Sequence, residues 1–499
     1  ASIFESLEEK FGLIGQVFFT PGLTKNKPDL EIYQNWINTN TEIDFLSRFE
    51  LSSLLPFIFL DVNPTDSVLS CSSNDPQVCK IISEILTDGL MIINDPDIKR
   101  AKFRLNAGLP NCCVISYPIS DIPDIMEYDK VLCIAPSIED GSVRNKPGIN
   151  SLWSIDKAVD NHKRQRELLI NCIEKVKVGG LCVYSTYSIN PFENESVINS
   201  VLKMDKYKGK LELVDCSSMY PDLKRKKGLT EWSMTDVTPR KDDPELMLAL
   251  SSDIKIDTLD RCMRFYPHQT NGNGTFIAVL KKLEPIEKVN RHPLTIDENE
   301  TKSFKLSAAP NAVIEKFISD FGLPEEIKEI PFIFSEETKK QVDILYQVTP
   351  KLKALLTDEM LNKLRIVQVG SRAFSFSANY PEEPVIPTVQ SLPAIAKTPT
   401  NRFITIGLNE FKEMANTCQL PLSQLPEETQ RYLEGLQHGG LFLVLEGYGT
   451  LVGALWTGQF IRLIITKGAI QHILKKAEIL LIKDEEFEEE EEMNQEEVD

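Results

Sequence analysis

The feature that most constrains the fold is an alternation of short apolar segments with amphipathic ones between residues 49 and 187. Helical patterns occur in FELSSLLPFIFLDV, in PQVCKIISEIL, in DIKRAKFRLNAG and in a long segment between Ser154 and Val176. The segments between them are typical of buried strands: SVLSC, GLMIIND, NCCVISY, DKVLCIA and LCVYSTYSI. Strands that alternate with helices indicate βαβ crossovers. We therefore predict a Rossmann-like α/β domain with a mostly parallel, doubly wound sheet.

The last strand of this series leads into a polar turn. Gly179 and Gly180 interrupt a helical run, LCVYSTYSI follows as a predicted strand, and the polar segment NPFENE comes next. Open α/β sheets bind their ligands at the carboxyl ends of the strands. We therefore expect the functional residues to lie at the end of this strand.

The sequence predicts five segments. An N-terminal extension without clear periodicity, residues 1–45, precedes the α/β domain at residues 46–282, and a polar linker with two prolines follows at residues 283–302. Residues 303–480 mix helices with β segments and end in GGLFLVLEGYGTLVGALWTGQFIRLIIT, which predicts three strands of a small antiparallel barrel with helices. Residues 481–499 are predicted to be an acidic disordered tail, because they cannot bury enough apolar surface to fold.

The charge of the chain argues against nucleic-acid binding by the protein as a whole. The net charge is −19, and the segment from Asp484 to Asp499 holds eleven acids and no bases, so residues 1–483 carry −8. Binding to nucleic acid would therefore require local basic patches. The tail itself has three interpretations: solubility, mimicry of RNA, or docking to a basic partner.

Cysteine spacing and hydropathy argue against several other classes. The ten cysteines contain no CxxC pair and no Cys/His cluster, so we predict no metal site and no disulfide framework. No run of about 18 apolar residues is present. The first residues, ASIFESLEEKFG, are acidic where a secretory signal would be basic and then apolar. We therefore expect a soluble intracellular protein, nuclear or cytoplasmic, that does not bind membranes.

Four basic segments stand out from the acidic chain: DIKRAKFR, NHKRQR, KMDKYKGK and DLKRKKGLTEW. The last contains Lys224, Arg225, Lys226 and Lys227, followed by Trp232. Short Lys/Arg runs can contact phosphates and a nearby aromatic ring can stack on a base, so these five residues are candidate RNA contacts. Two alternatives stay open: a solvated surface and, for KRKK, a nuclear import signal.

Several segments resemble motifs of the Sun/NSUN family of RNA cytosine-5 methyltransferases, most closely its eukaryotic tRNA-modifying branch. VYSTYSINPFENESVI is similar to the family motif VYSTCSxNPxExExxV, MIINDPDIKR to its second motif, YDKVLCIAPSIEDGSVR to its fourth, and LDRCMRFYPHQTNGNGTFIAVLKK to its closing strands. The resemblance implies a class I methyltransferase domain. WTGQFIRLIITKGAIQHIL resembles the end of the family's PUA-like domain, which implies a C-terminal RNA-binding module with Arg462 and Lys467 as candidate contacts.

The resemblance also implies that the catalytic side chains are replaced. In the family, the Cys of STCS adds to carbon 6 of cytosine so that carbon 5 can attack the methyl group, which requires an accessible thiolate. Tyr187 stands at that position, and a phenol with a pKa of about 10 is a weak substitute. A second family Cys assists product release and an Asp of the same Asp-x-Pro-Cys motif contacts the cytosine; Ser137 and Ile134 stand there. No catalytic residue is therefore predicted.

S-adenosylmethionine is the cofactor that the resemblance implies, but the loop expected to hold it is altered. The family loop Ala-Pro-Gly-Ser-Lys-Thr corresponds to residues 74–79, where Pro76 removes an N–H donor and Val78 replaces the lysine. Pro118 stands where the third motif has an acid. Asp95 matches the acid that binds the ribose hydroxyls. The alternative for Asp95 is a solvated strand-end acid or a helix N-cap.

These replacements lead to one main hypothesis and two alternatives. The first is a pseudoenzyme that no longer transfers methyl groups and binds RNA, in particular tRNA, or acts as a subunit beside an active paralogue. The second is an active S-adenosylmethionine-dependent tRNA cytosine-5 methyltransferase that uses Cys133 or Cys182 as its nucleophile. The third is a protein-binding scaffold that does not bind RNA and uses the tail and the old cleft for docking.

Overall fold

The computed structural model describes residues 37, 50–71, 76–98, 109–235, 237–241, 243–251, 256–270, 272–288, 304–337, 342–377, 385–388, 400–447, 450–464, 470, 473 and 474. Beyond residue 48, the chain forms two compact units, residues 49–300 with 363–369 and residues 301–362 with 370–499. Most of the N-terminal extension, most of the helix predicted in DIKRAKFRLNAG and the acidic tail lie outside the described residues.

Where the structure describes the first unit, it is built on a ten-stranded sheet. Its strands are β1 (Ser67–Ser70), β2 (Leu90–Asn94), β3 (Cys112–Ile115), β4 (Tyr128–Ile134), β5 (Val176–Thr186), β6 (Leu211–Leu213), β7 (Lys226–Lys227), β8 (Met263–Phe265), β9 (Thr275–Lys282) and, from later in the chain, β13 (Ile366–Val369). They lie in the order β13, β3, β2, β1, β4, β5, β9, β8, β7, and β6 also pairs with β9.

The pairing of these strands corrects the predicted sheet. From β3 through β2, β1 and β4 to β5 the strands are parallel, as predicted. Strand β9 runs antiparallel to β5 and β13 runs antiparallel to β3. The sheet is therefore mixed rather than mostly parallel. The prediction was wrong on this point because the apolar pattern of a strand encodes its burial but not its direction.

Helices cover both faces of this sheet. They are α1 (Leu51–Leu60), α2 (Pro76–Ile85), α3 (Ile149–Leu152), α4 (Ile155–Glu174), α5 (Glu195–Leu202), α6 (Pro244–Leu250) and α7 (Pro267–Thr270). On one face, Leu54 and Leu55 of α1 and Ile82 of α2 pack with Leu132 and Val183 in a single buried core. Helix α4 packs against β4 and β5 on the other face and contacts α5. The helices predicted at residues 76–86 and 154–176 are confirmed.

The described residues of the second unit form two five-stranded sheets. One is formed by β10 (Phe304–Ala308), β11 (Phe332–Glu337), β12 (Val342–Gln347), β14 (Ser371–Ser377) and β15 (Ile386–Pro387), and the other by β16 (Phe403–Ile406), β17 (Gln419–Pro421), β18 (Gly439–Leu445), β19 (Thr450–Trp456) and β20 (Phe460–Leu463). The helices described in this unit are α8 (Asn311–Phe321), α9 (Pro350–Leu355), α10 (Asp358–Lys363, ending at the unit boundary), α11 (Leu408–Thr417) and α12 (Glu427–Glu434).

The three strands predicted near the end of the chain correspond to β18, β19 and β20, which lie in a sheet of their own. This sheet is not wholly antiparallel. Strand β16 pairs with β18 in parallel, and the described strands follow the path β16, β18, β19, β20, β17. A PUA-like barrel therefore stays a prediction for this region. Within the described part of the chain, no helix has the length and apolar character needed to cross a membrane.

Candidate functional site

Tyr187 follows β5 directly and lies on the α1 side of the sheet. Successive residues of a strand face opposite sides, so Tyr187, four residues after Val183, shares a face with it, and its ring packs against the core that contains Val183. Its hydroxyl lies 3.1 Å from Ser53 Oγ on α1. Its carbonyl accepts a 2.9 Å hydrogen bond from the N–H of Gly141. Both the ring and the backbone of Tyr187 are therefore held in place.

The two cysteines considered as substitute nucleophiles face the other side of the sheet. Cys133 and Cys182 lie on the adjacent strands β4 and β5 and are 0% and 1% exposed, on the side of the sheet that α4 covers. Burial raises the pKa of the Cys133 thiol well above its usual range. Neither thiol lies on the face of the sheet that carries Tyr187, and both are buried against α4.

The other two positions that the family resemblance singled out, Ile134 and Ser137, lie at the end of the strand next to β5. Ile134 ends β4 and packs in the same core as Val183. Ser137 is half-buried in the loop that follows, where its Oγ accepts a hydrogen bond from the N–H of Glu139 at 3.3 Å. The structure therefore brings the three positions to one edge of the sheet, and none of them supplies a thiol or a carboxylate.

Buried Glu193 holds the loops that carry these positions. Its carboxylate accepts hydrogen bonds from the N–H of Ile138 at 3.1 Å and from the amides of Asn161 at 2.9 Å, Gln165 at 3.0 Å and Asn190 at 3.3 Å. Burial raises the pKa of this carboxyl, and its hydrogen-bond donors act in the opposite direction. Glu193 thus joins the loop after β4, helix α4 and the NPFENE turn.

Replacing Glu193 with Gln is expected to lower the free energy of unfolding by about 1–3 kcal/mol, because the new NH₂ group would face N–H donors and leave at least one of them unpaired. Glu167→Gln, on the exposed face of α4, is the matched control and should leave stability unchanged. Urea unfolding followed by circular dichroism measures both variants. Equal stability of the two would show that Glu193 does not hold these loops.

The ribose-binding position expected from the family lies after β2. Asp95 is 2% exposed, and its Oδ1 accepts a 3.0 Å hydrogen bond from the N–H of Asp97. The preceding side chain, Asn94, bridges neighbouring strands: it donates to the carbonyls of Cys71 and Tyr117 and accepts from the N–H of Tyr117. The polar groups at this strand end are therefore engaged within the protein.

The replacement residues of the cofactor loop also face inward or lack donors. Helix α2 begins at Pro76, which has no N–H, and Val78 and Cys79 are buried in the core below α1. Pro118, where the family has an acid, is exposed. Pro76 therefore offers no N–H donor, Val78 no charge and Pro118 no carboxylate to a ligand.

Two of the four predicted basic RNA contacts are engaged within the protein. The guanidinium of Arg225 lies 5.3 Å from the ring centre of Phe59 and donates to four carbonyls of the preceding loop, those of Cys216, Ser217, Met219 and Tyr220. Lys227 forms a 3.0 Å ion pair with Asp260. Lys224 and Lys226 are exposed.

Trp232, the predicted stacking residue, takes part in packing. Its Nε1 donates a 2.7 Å hydrogen bond to the carbonyl of Leu250 in α6, and its ring packs against a small core that includes Val237 and Leu246. The indole therefore fastens the loop after β7 to α6.

A buried ion pair that no sequence motif indicated joins two elements of this region. Arg264 on β8 forms a bidentate ion pair with Glu195 on α5, and Nε of Arg264 lies 2.6 Å from the carboxylate. The two residues are 3% and 0% exposed. Arg264 also donates to the carbonyl of Ile189 at 2.7 Å, and Glu195 accepts from the N–H of Leu229 at 2.8 Å. The sequence indicates this pair only through Arg264, a charged residue between two apolar residues of a predicted strand.

Part of this chain is similar in sequence to RNA methyltransferases. Residues 82–281 match the family model described as 16S rRNA methyltransferase RsmB/F. The multisite-specific tRNA:(cytosine-C(5))-methyltransferase trm4b of Schizosaccharomyces pombe is 30% identical over 325 residues, 54% of this chain and 47% of that protein. The tRNA (cytosine(34)-C(5))-methyltransferase of Drosophila melanogaster is 30% identical over 365 residues, 64% of this chain and 47% of that protein.

The chain spans about half the length of these curated relatives. Among solved structures, a methyltransferase homologue from Pyrococcus horikoshii matches 47% of this chain and 67% of its own, with 23% identity and a TM-score of 0.37.

Proposed function

Because this chain belongs to the Sun/NSUN family of RNA cytosine-5 methyltransferases, we propose that it retains the family's fold for RNA binding and has lost methyl transfer. One observation carries the proposal. The family's nucleophile position is occupied by Tyr187, whose ring packs in the core and whose hydroxyl contacts Ser53, while Cys133 and Cys182 are buried on the opposite face of the sheet.

The chemistry explains why this observation matters. Addition to carbon 6 of cytosine needs a nucleophile that is ionised near neutral pH, and a phenol with a pKa of about 10 is ionised in only about one molecule in a thousand at pH 7. The apolar side chain of Ile134 cannot hydrogen-bond to a cytosine ring, and Ser137 offers a hydroxyl in place of a thiol. Restoring one of these groups would leave the others missing.

The proposal extends to the cofactor. The family's reaction takes its methyl group from S-adenosylmethionine, and this chain is proposed not to bind it. Pro76, Val78 and Pro118 replace the groups expected to contact it, and the carboxylate of Asp95 accepts a hydrogen bond within its own turn. The proposal predicts no saturable uptake of labelled S-adenosylmethionine in equilibrium dialysis.

RNA is the proposed ligand, and tRNA the proposed species, because the curated relatives are named as tRNA methyltransferases. The proposed contacts are the basic segment Lys224–Lys227 and, in the C-terminal region, Arg462, which is exposed on β20. Lys467 lies outside the described residues. A further proposal is that the chain acts as a subunit beside an active methyltransferase of the same family.

The decisive experiment measures transfer of labelled methyl from S-adenosylmethionine to unmodified tRNA, with 5-methylcytosine as the readout. We expect no incorporation above a reaction without protein, while an active relative such as the Schizosaccharomyces pombe enzyme methylates the same tRNA. Incorporation would overturn the loss of activity. In that case, its disappearance in Cys133→Ser or Cys182→Ser would identify the substitute nucleophile.

A further inference from the structure

The four basic residues at 224–227 divide into two engaged and two free side chains. Arg225 is used by backbone carbonyls and Lys227 by Asp260. Lys224 and Lys226 are exposed and have no partner among the residues that the structure describes. An ammonium group without an internal partner can bind an external anion without first breaking an ion pair.

These side chains border a groove with a locally positive lining. The groove has a volume of about 350 Å³, and the buried residues Leu223, Cys262 and Met263 form part of its lining. Five basic and two acidic side chains line it, a local excess of three positive charges in a chain whose net charge is −19. A polyanion is therefore attracted to this region although the protein as a whole repels it.

The strand register places Lys226 in line with the end of β5, the strand that leads into Tyr187. Lys226 lies opposite Arg264, Arg264 opposite Phe276, and Phe276 opposite Thr186, the residue before Tyr187. Three strand spacings of about 4.8 Å separate Lys226 from Thr186, or about 14 Å. A stacked single strand covers that distance in about four nucleotides.

We infer that Lys224 and Lys226 bind backbone phosphates of an RNA strand that runs across these strands toward Tyr187. The inference rests on the proposed RNA-binding function and narrows it to two side chains of the basic segment. Arg225 and Lys227 instead hold the loop and the edge strand that present them. Phosphate contacts position a strand without reading its sequence, so the site binds RNA of any sequence.

The test compares two variants that lose the same charge. Lys224→Ser/Lys226→Ser removes the inferred contacts, and Lys163→Ser/Arg164→Ser removes two exposed basic residues from α4. Binding of an oligouridylate of about 20 nucleotides to the full chain is measured between about 50 and 200 mM salt. Circular dichroism and urea unfolding check that both variants remain folded.

For Lys224→Ser/Lys226→Ser we expect weaker binding and a decrease of about 1.4 in the slope of log K against log salt, since each single-strand phosphate contact contributes about 0.7. The α4 control should keep the wild-type slope. Lys224→Arg/Lys226→Arg should also keep it, because arginine retains both positive charges. An unchanged slope in the serine variant, or an equal decrease in the control, would overturn the inference about Lys224 and Lys226 but leave the RNA-binding proposal standing. Absence of salt-dependent binding by the wild-type chain would overturn the RNA-binding proposal together with it.

Discussion

Replacing Arg264 with Met is expected to lower the free energy of unfolding by about 3–5 kcal/mol, because it leaves Glu195 as an unpaired buried charge. Both members of the pair are almost fully buried, and they join β8 to α5. The same replacement removes the hydrogen bond to the carbonyl of Ile189. We therefore also expect faster amide exchange in residues 187–195, the segment that carries the family's nucleophile position.

The double variant Arg264→Met/Glu195→Leu separates the charge effect from packing. It removes both charges, so it should recover part of the stability lost by Arg264→Met, although the N–H of Leu229 then loses its acceptor. Arg431→Met is the control, because Arg431 pairs with Glu427 at the exposed surface. Urea unfolding gives the values. An Arg264 variant no less stable than the Arg431 variant would refute the structural role of the buried pair.

The second large effect is expected from removing β13. This strand continues the first sheet beyond β3, and Leu364, Ile366 and Val369 are buried. The carbonyl of Arg365 accepts a hydrogen bond from the N–H of Ser116 at 3.0 Å, and the backbone N–H of Arg365 donates one to the hydroxyl of Tyr117 at 2.8 Å. In a chain that ends after residue 300, the free energy of unfolding of the first unit should fall by about 5 kcal/mol or more. Three buried apolar side chains are lost, and each contributes about 1.5–3 kcal/mol. The uncovered β3 edge should also promote aggregation.

A peptide of residues 361–371 tests this expectation in trans. Added to the chain that ends after residue 300, it should raise the urea midpoint and reduce light scattering. A peptide with Ile366→Asp and Val369→Asp is the control and should do neither, because it cannot bury its side chains against β3. The expectation fails if the shortened chain is as stable as the full chain, or if both peptides act alike.

Much of the first unit follows from the sequence. The predicted helices over residues 76–86 and 154–176 and the parallel strands from β1 to β5 are present, because burial and periodicity are properties of short segments. The same periodicity places Cys182 and Tyr187 on opposite faces of the sheet, as the structure has them. The identities of Tyr187, Ser137 and Ile134, on which the proposed loss of methyl transfer rests, are likewise visible in the sequence alone.

Long-range contacts were decided by the tertiary structure. Arg264 and Glu195 are 69 residues apart, and Arg365 and Tyr117 are 248 apart, so no local pattern relates them. In KRKK the sequence does not distinguish the four basic side chains. In the structure Arg225 donates hydrogen bonds to carbonyls of the preceding loop, and Lys227 forms an ion pair with Asp260. The sequence by itself determined which segments are buried and which side chains stand at the positions on which the proposed loss of methyl transfer rests. Which strands pair, and which charges remain free for a ligand, depends on partners that only folding brings together.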